Sequence, residues 1–197
     1  MRSIFLILIA ISCSLKPVNA KEWSFAFYKG RYSRTDLREI VFLQKTQYIG
    51  SNVNIFAFSQ PFYELWGTPI EAEGQVGWHT GIQKHMELNG LLLARFGKKS
   101  GMPLNFAVGE GLSLATYNPL LENRRKSYRD LAVESEYSNK FLNYLAFEVE
   151  VSLASMMQAD IPSPFFRIHH RSGVYGLFCP PTCGSNFVTY GMRWRFN

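Results

Sequence analysis

Beyond its first twenty positions this 197-residue chain has no run approaching the ~20 consecutive apolar residues that a membrane-crossing helix requires. It has no Walker, Rossmann or zinc-protease motif, so nothing in it announces nucleotide binding or helix-borne zinc chemistry. It has no internal repeat, no low-complexity tract and no linker that would split it, which points to a single domain. Cysteine is scarce: Cys13, Cys179 and Cys183 are the three present. Cys179 and Cys183 share a loop that holds no histidine, so a zinc site there lacks ligands. In an oxidising compartment the two form a small loop disulfide; otherwise they are free thiols on a tight loop.

What is present begins with the amino terminus. Arg2 is a minimal basic region, Ile4 to Ile11 is an apolar run too short to span a bilayer, and Val18-Asn19-Ala20 has the small-x-small pattern of a signal-peptidase site. Residues 1–20 therefore read as a signal peptide, with residues 21–197 as the mature domain. Cys13 then leaves with the leader; its alternative role as a lipidated cysteine is weakened by the residues Ala10-Ile11-Ser12 before it. Removing Arg2 and Lys16 takes the 21 basic residues to 19 against 15 acids, so the net charge falls from +6 to +4. A modest positive excess suits phosphate-bearing surfaces. Aromatic residues make up 15%. A secreted, aromatic-rich chain without a membrane helix can still cross a membrane as a closed barrel, and this length suits about eight strands of ~10 residues.

Alternation supports that reading. In the last segment Asn186, Val188, Tyr190, Met192, Trp194 and Phe196 share one parity, and Phe187, Thr189, Gly191, Arg193 and Arg195 the other. Trp23, Phe25 and Phe27 alternate with Ser24, Ala26 and Tyr28. A second strand falls between Ile40 and Phe58. Ile70, Ala72, Val76 and Trp78 oppose Glu71, Glu73, Gln75 and His79. Met86, Leu88, Leu92, Ala94 and Phe96 oppose Glu87, Asn89 and Arg95; a fifth strand runs from about Asn105 to Thr116. Leu145, Phe147, Val149, Val151 and Leu153 oppose Glu148, Glu150 and Ser152. In a soluble protein the charged faces would point outward. In an eight-stranded antiparallel outer-membrane β-barrel they point inward, and Glu71, Glu73, His79, Glu87, Glu148 and Glu150 pair with Arg95, Arg167, His169, Arg171, Arg193 and Arg195. Short turns near Gly97-Lys98-Lys99-Ser100-Gly101 and Ala159-Asp160-Ile161-Pro162-Ser163 then lie on the periplasmic side. The long polar segment from Tyr117 to Lys140 lies outside, where Arg124, Arg125, Lys126 and Arg129 meet lipid phosphates or are simply solvated.

One constellation breaks the pattern. In Phe165-Phe166-Arg167-Ile168-His169-His170-Arg171-Ser172, Phe166 and Ile168 set the lipid-facing parity, and His170 and Ser172 share it. Asn186 has the same parity near the same rim of the following strand. Three polar side chains are thus expected where hydrocarbon belongs, which is costly unless they pair and often marks function. A serine beside a histidine supplies a nucleophile and a base, and Asn186 can orient the imidazole by accepting a ring N–H, without the full charge of a carboxylate. A lipid ester in the outer leaflet would reach such a site without leaving the membrane. The plainer reading has the three residues at headgroup level, bonded to interfacial water. Glu110 also has outward parity; Gly109 and Gly111 beside it suggest a bulge that would turn it inward.

The His170-x-Ser172 pair on the penultimate strand, a glycine-containing hairpin and a terminal strand ending in Phe196 together resemble the lipid A 3-O-deacylase family of outer-membrane barrels. The specific match covers about the last thirty residues. The resemblance implies an eight-stranded barrel and hydrolysis of an ester-linked acyl chain of lipid A or lipopolysaccharide. It implies Ser172 as nucleophile and His170 as base, with no metal and no organic cofactor, no nucleic-acid partner, and delivery by barrel-insertion machinery through the carboxy-terminal strand. An oligomer is compatible with it. Two positions depart from the family: Asn186 stands where it has a catalytic glutamate, and Gly173 where it usually has asparagine. Rival readings are a non-catalytic lipid-binding or structural barrel, a small pore, and a soluble periplasmic sandwich.

Overall fold

The structure is a computed structural model that describes residues 15–17, 22–44, 46–97, 103–122, 138–153, 157, 161–174, 177–179 and 183–196. Eight antiparallel strands follow one another around a closed barrel: β1 (Trp23–Ser33), β2 (Tyr48–Leu65), β3 (Thr68–Gly81), β4 (Met86–Phe96), β5 (Leu104–Ala115), β6 (Phe141–Val151), β7 (Ser163–Ser172) and β8 (Gly184–Phe196). Each strand pairs with its sequence neighbours, and β1 closes the ring on β8 from Trp23↔Phe196 to Ser33↔Asn186. Closure removes every free edge among these eight strands, which a bilayer demands of a sheet. Three residues, Leu15–Pro17, extend the pairing along Tyr63–Leu65 of β2. A sandwich is thereby ruled out. No helix among the described residues is long and apolar enough to cross a membrane.

The two faces are inverted relative to a soluble protein. Phe56, Phe58, Leu88, Leu92, Phe106, Leu112, Tyr190 and Trp194 are exposed on the outer wall, while Glu73, Glu148, Arg95, Arg167 and Arg193 are buried within. Such a large continuous apolar surface is not left to water in a stable monomer. The interior is a lattice of ion pairs. Arg95 forks onto Glu71 at 3.0 and 3.1 Å and reaches Glu148 at 2.7 Å. Arg167 bonds Glu73 at 2.5 and 3.2 Å and Glu148 at 2.8 Å, with its guanidinium 5.1 Å above the Tyr28 ring. Arg193 and Arg195 complete it through Glu148 (2.9 Å) and Glu150 (2.8 Å). Four guanidiniums thus meet four carboxylates, Arg95–Glu71 and Arg167–Glu73 in fork geometry, which offsets the desolvation that an unpaired charge would carry.

Strand parities follow the alternation read from the sequence, with two local differences. The second strand begins at Tyr48 and runs on to Leu65. It passes Pro61, which lacks an N–H to donate, through a register shift between Pro61 and Tyr63. Residues near Ile40 form instead a short helix, α1 (Leu37–Val41), started by the Asp36 and Glu39 capping box. β5 is regular against both neighbours, so no bulge turns Glu110 inward; it faces out. The β2–β3 turn is the two residues Trp66 and Gly67, both at positive φ (48° and 81°), the geometry whose twist matches a hairpin. The connections after β1, β3, β5 and β7 gather at the opposite, upper end.

Candidate functional site

β7 puts Arg167, His169 and Arg171 inside and Phe166, Ile168, His170 and Ser172 outside. His170 and Ser172 therefore share the outer wall, two residues and about 6.6 Å apart along the strand. Across the β7–β8 ladder His170 sits opposite Asn186 and Ser172 opposite Gly184. His170 Nδ1 lies 2.5 Å from Asn186 Oδ1, and Asn186 Nδ2 donates to the Thr35 carbonyl at 2.8 Å. These two bonds define the ring. A carbonyl can only accept, so the Asn186 NH2 faces Thr35 and its oxygen faces the histidine. Nδ1 must then carry the imidazole proton, and Nε2 keeps the lone pair that a general base uses. Ser172 Oγ accepts the Val174 N–H at 3.2 Å, which leaves its own proton to be donated.

Asn186 differs from its expected setting. It is fully buried rather than lipid-facing, because the chain leaving β1 turns across the outer wall through Thr35 and α1. The same crossing covers outward Ile168 and buries Ile40. Below the histidine, Ile40, Val41 and Leu43 on one side and Phe147, Phe166 and Ile168 on the other line an apolar cavity of about 230 Å³. Phe42 and Leu43 remain largely exposed, so this short element carries an apolar surface of its own.

A further polar residue escaped the sequence reading. Asn143 of β6 is the register partner of Ser172 and is outward in parity yet buried. Its amide donates to Gly111 O at 3.1 Å and Glu110 Oε1 at 3.4 Å. The signal was available: a polar residue in the outward row of Leu145 and Phe147 is the same kind of break as His170. For Thr35 there was no signal, since nothing local dictates where a loop crosses. Gly173 has a packing reason. A Cβ there would lie 2.6 Å from both the carbonyl oxygen and the sulfur of Cys179. Cys179 and Cys183 are disulfide-bonded, so the loop above Ser172 closes down onto the strand end.

Inside the same rim lies a second polar assembly. Arg171 bonds Glu122 at 2.5 Å, and Ser185 donates to that carboxylate at 3.0 Å. Burial raises Glu122 above the usual carboxylate range, against the pull of Arg171. His85, in the β3–β4 connection, is pushed down to about 3 by burial and then by His79. Arg124, Arg125, Lys126 and Arg129 lie outside the described residues.

The chain matches no protein-family model and no curated protein. Among solved structures, the crystal structure of the outer membrane enzyme PagL is similar at 9% identity, covering 87% of this chain and 98% of that one, with a TM-score of 0.49. So distant a likeness leaves the chemistry of the site to this chain's own residues.

Proposed function

We propose that this chain is an outer-membrane hydrolase that removes an ester-linked acyl chain from lipid A or a related lipid, exported by a leader spanning residues 1–20. The observation that carries the reading is the outward His170, held by buried Asn186 in the tautomer a base requires, with a serine on the same wall one step above. The family resemblance of the last thirty residues points the same way. Ser172 attacks the ester carbonyl and its proton passes to His170 Nε2. The imidazolium then protonates the departing sugar oxygen, leaving an acyl-serine. Water, deprotonated by the same nitrogen, releases the fatty acid and restores the hydroxyl. Asn186 orients the ring but cannot neutralise the imidazolium, so the rate is modest for a triad enzyme. The cavity between α1 and the wall reaches up β7 as far as Ile168 and offers the acyl chain a place below His170. Arg124, Arg125, Lys126 and Arg129 are proposed to meet lipid phosphates.

The test compares lipid A mass spectra from cells expressing wild type and Ser172→Ala, both inserted and heat-modifiable on gels. Loss of one acyl chain with wild type alone is expected; identical spectra would sink the enzyme. A second reading, a barrel that binds lipid without hydrolysing it, is favoured by one feature, the amide of Asn186 in the place of a carboxylate. A serine-directed lipid phosphonate separates the two, since only an activated Ser172 becomes labelled.

A further inference from the structure

Of the four histidines, three face the lumen at its upper end, away from the outer-wall pair. His79 ends the inward row of β3, His85 closes the connection that follows, and Glu87 opens the inward row of β4. The His79 N–H bonds the His85 carbonyl at 2.8 Å, which folds the connection back so that the two rings stack, centroids 4.0 Å apart and 12° from parallel. His79 Nε2 lies 2.9 Å from Glu87 Oε2, and His169 Nε2 lies 2.9 Å from Glu87 Oε1. All four residues are buried. One donor atom from each of His79, His85 and Glu87 lies within 4.8 Å of the others.

We propose that His79, His85 and Glu87 form a binding site for one divalent transition-metal ion of the zinc class. Two imidazoles and a carboxylate are the borderline donors that zinc, cobalt, nickel and copper share and that calcium and magnesium avoid. Two ligands at ~2.05 Å subtending a tetrahedral angle stand about 3.4 Å apart. The 2.9 Å between His79 Nε2 and Glu87 Oε2 is a few tenths of an ångström from that.

His85 carries the independent observation. Its side chain is 93% buried, and its Nε2 has no hydrogen-bond partner among the described residues. A buried ring nitrogen without a partner is costly. The stacked rings do not aim both lone pairs at one point. Convergence requires His85 to turn about its side-chain torsions, and its Nε2 gives up no bond among the described residues in doing so. The remaining partners suit an outer shell. Gln83 Nε2 lies 3.3 Å from His79 Nδ1. The Tyr144 hydroxyl lies 3.1 Å from His169 Nδ1, and His169 Nε2 approaches Glu87 Oε1 at 2.9 Å without hydrogen-bond geometry. Arg171, 3.9 Å from Glu87, is the neighbouring cation, and it is engaged by Glu122 at 2.5 Å. On binding, the His79 proton moves from Nε2 to Nδ1, where the Gln83 amide turns to accept it with its oxygen, and the freed Nε2 lone pair and the Glu87 carboxylate take the ion. The ion then ties the β3–β4 tip to the wall; it takes no part in the outer-wall chemistry.

The experiment is equilibrium dialysis of the full chain, without a histidine tag, in detergent micelles against Zn2+ alone. Wild type and His170→Ala are expected to hold one zinc per chain, and His85→Ala none. Failure of wild type to bind, or His85→Ala binding as wild type does, overturns the site. Should His85→Ala lose heat-modifiable mobility, Cu2+ EPR of wild type decides. Nitrogen superhyperfine splitting is expected, and an oxygen-only signal overturns it. None of these readouts depends on lipid hydrolysis.

Discussion

Polar side chains occupy both faces of this barrel wall, and they are treated in opposite ways. Inside, Glu71, Glu73, Glu148 and Glu150 meet Arg95, Arg167, Arg193 and Arg195 in a lattice where each charge answers another. Outside, His170, Asn186, Ser172 and Asn143 interrupt an apolar wall; His170 and Asn186 bond each other, Asn186 bonds Thr35, and Asn143 bonds Gly111 and Glu110. The lattice carries full charges and therefore needs partners to exist in the fold at all. Among the described residues the outer strip is held by hydrogen bonds and not by ion pairs. On the proposed function, stability and chemistry are separated by the thickness of one sheet.

That separation can be broken by substitution. The largest expected effect is on chemistry: Ser172→Ala lowers acyl release on the order of 10^4-fold or more, while the unfolding free energy from urea titration in micelles changes by less than about 0.5 kcal/mol. Glu148→Leu should do the reverse. It strands parts of Arg95, Arg167 and Arg193 together and costs about 3–5 kcal/mol in the same unfolding assay, with activity per folded molecule retained. Asn186→Ala tests the border between the two regimes. It frees the imidazole tautomer and leaves the Thr35 carbonyl without its donor, so hydrolysis falls by roughly 10^2-fold and stability by about 1–2 kcal/mol. A result in which Asn186→Ala matches wild type in turnover would remove the asparagine from the mechanism. Reducing the Cys179–Cys183 bridge should have the smallest effect, about 2 kcal/mol or less for so short a loop. Its readout is the midpoint with and without reductant.

Most of the barrel could be read in one dimension. The alternation of Glu71, Glu73, Gln75 and His79 against Ile70, Ala72, Val76 and Trp78, and its equivalents in the other strands, assigns each side chain to a face because the pleat has a period of two. The same rule put His170 and Ser172 outside; Asn143 obeys it as well, although the sequence reading passed it over. It held at Glu110 too, where the expected glycine bulge is absent and the ladder is regular; it did not give the bounds of the second strand, which starts at Tyr48 and continues past Pro61 to Leu65 through a shift in register.

What a linear pattern could not contain was the partner of each group. Face is a local property, but which arginine meets which carboxylate depends on the stagger of strands far apart in sequence, as with Arg167 and Glu73, 94 positions apart. The burial of Asn186 depends on a carbonyl 151 positions away, delivered by a loop that crosses the wall for reasons of packing against Ile168. The histidine cluster at the rim likewise exists because ring closure brings β7 round to face the β3–β4 tip. Orientation came from the repeat of the backbone; proximity came from closing the cylinder.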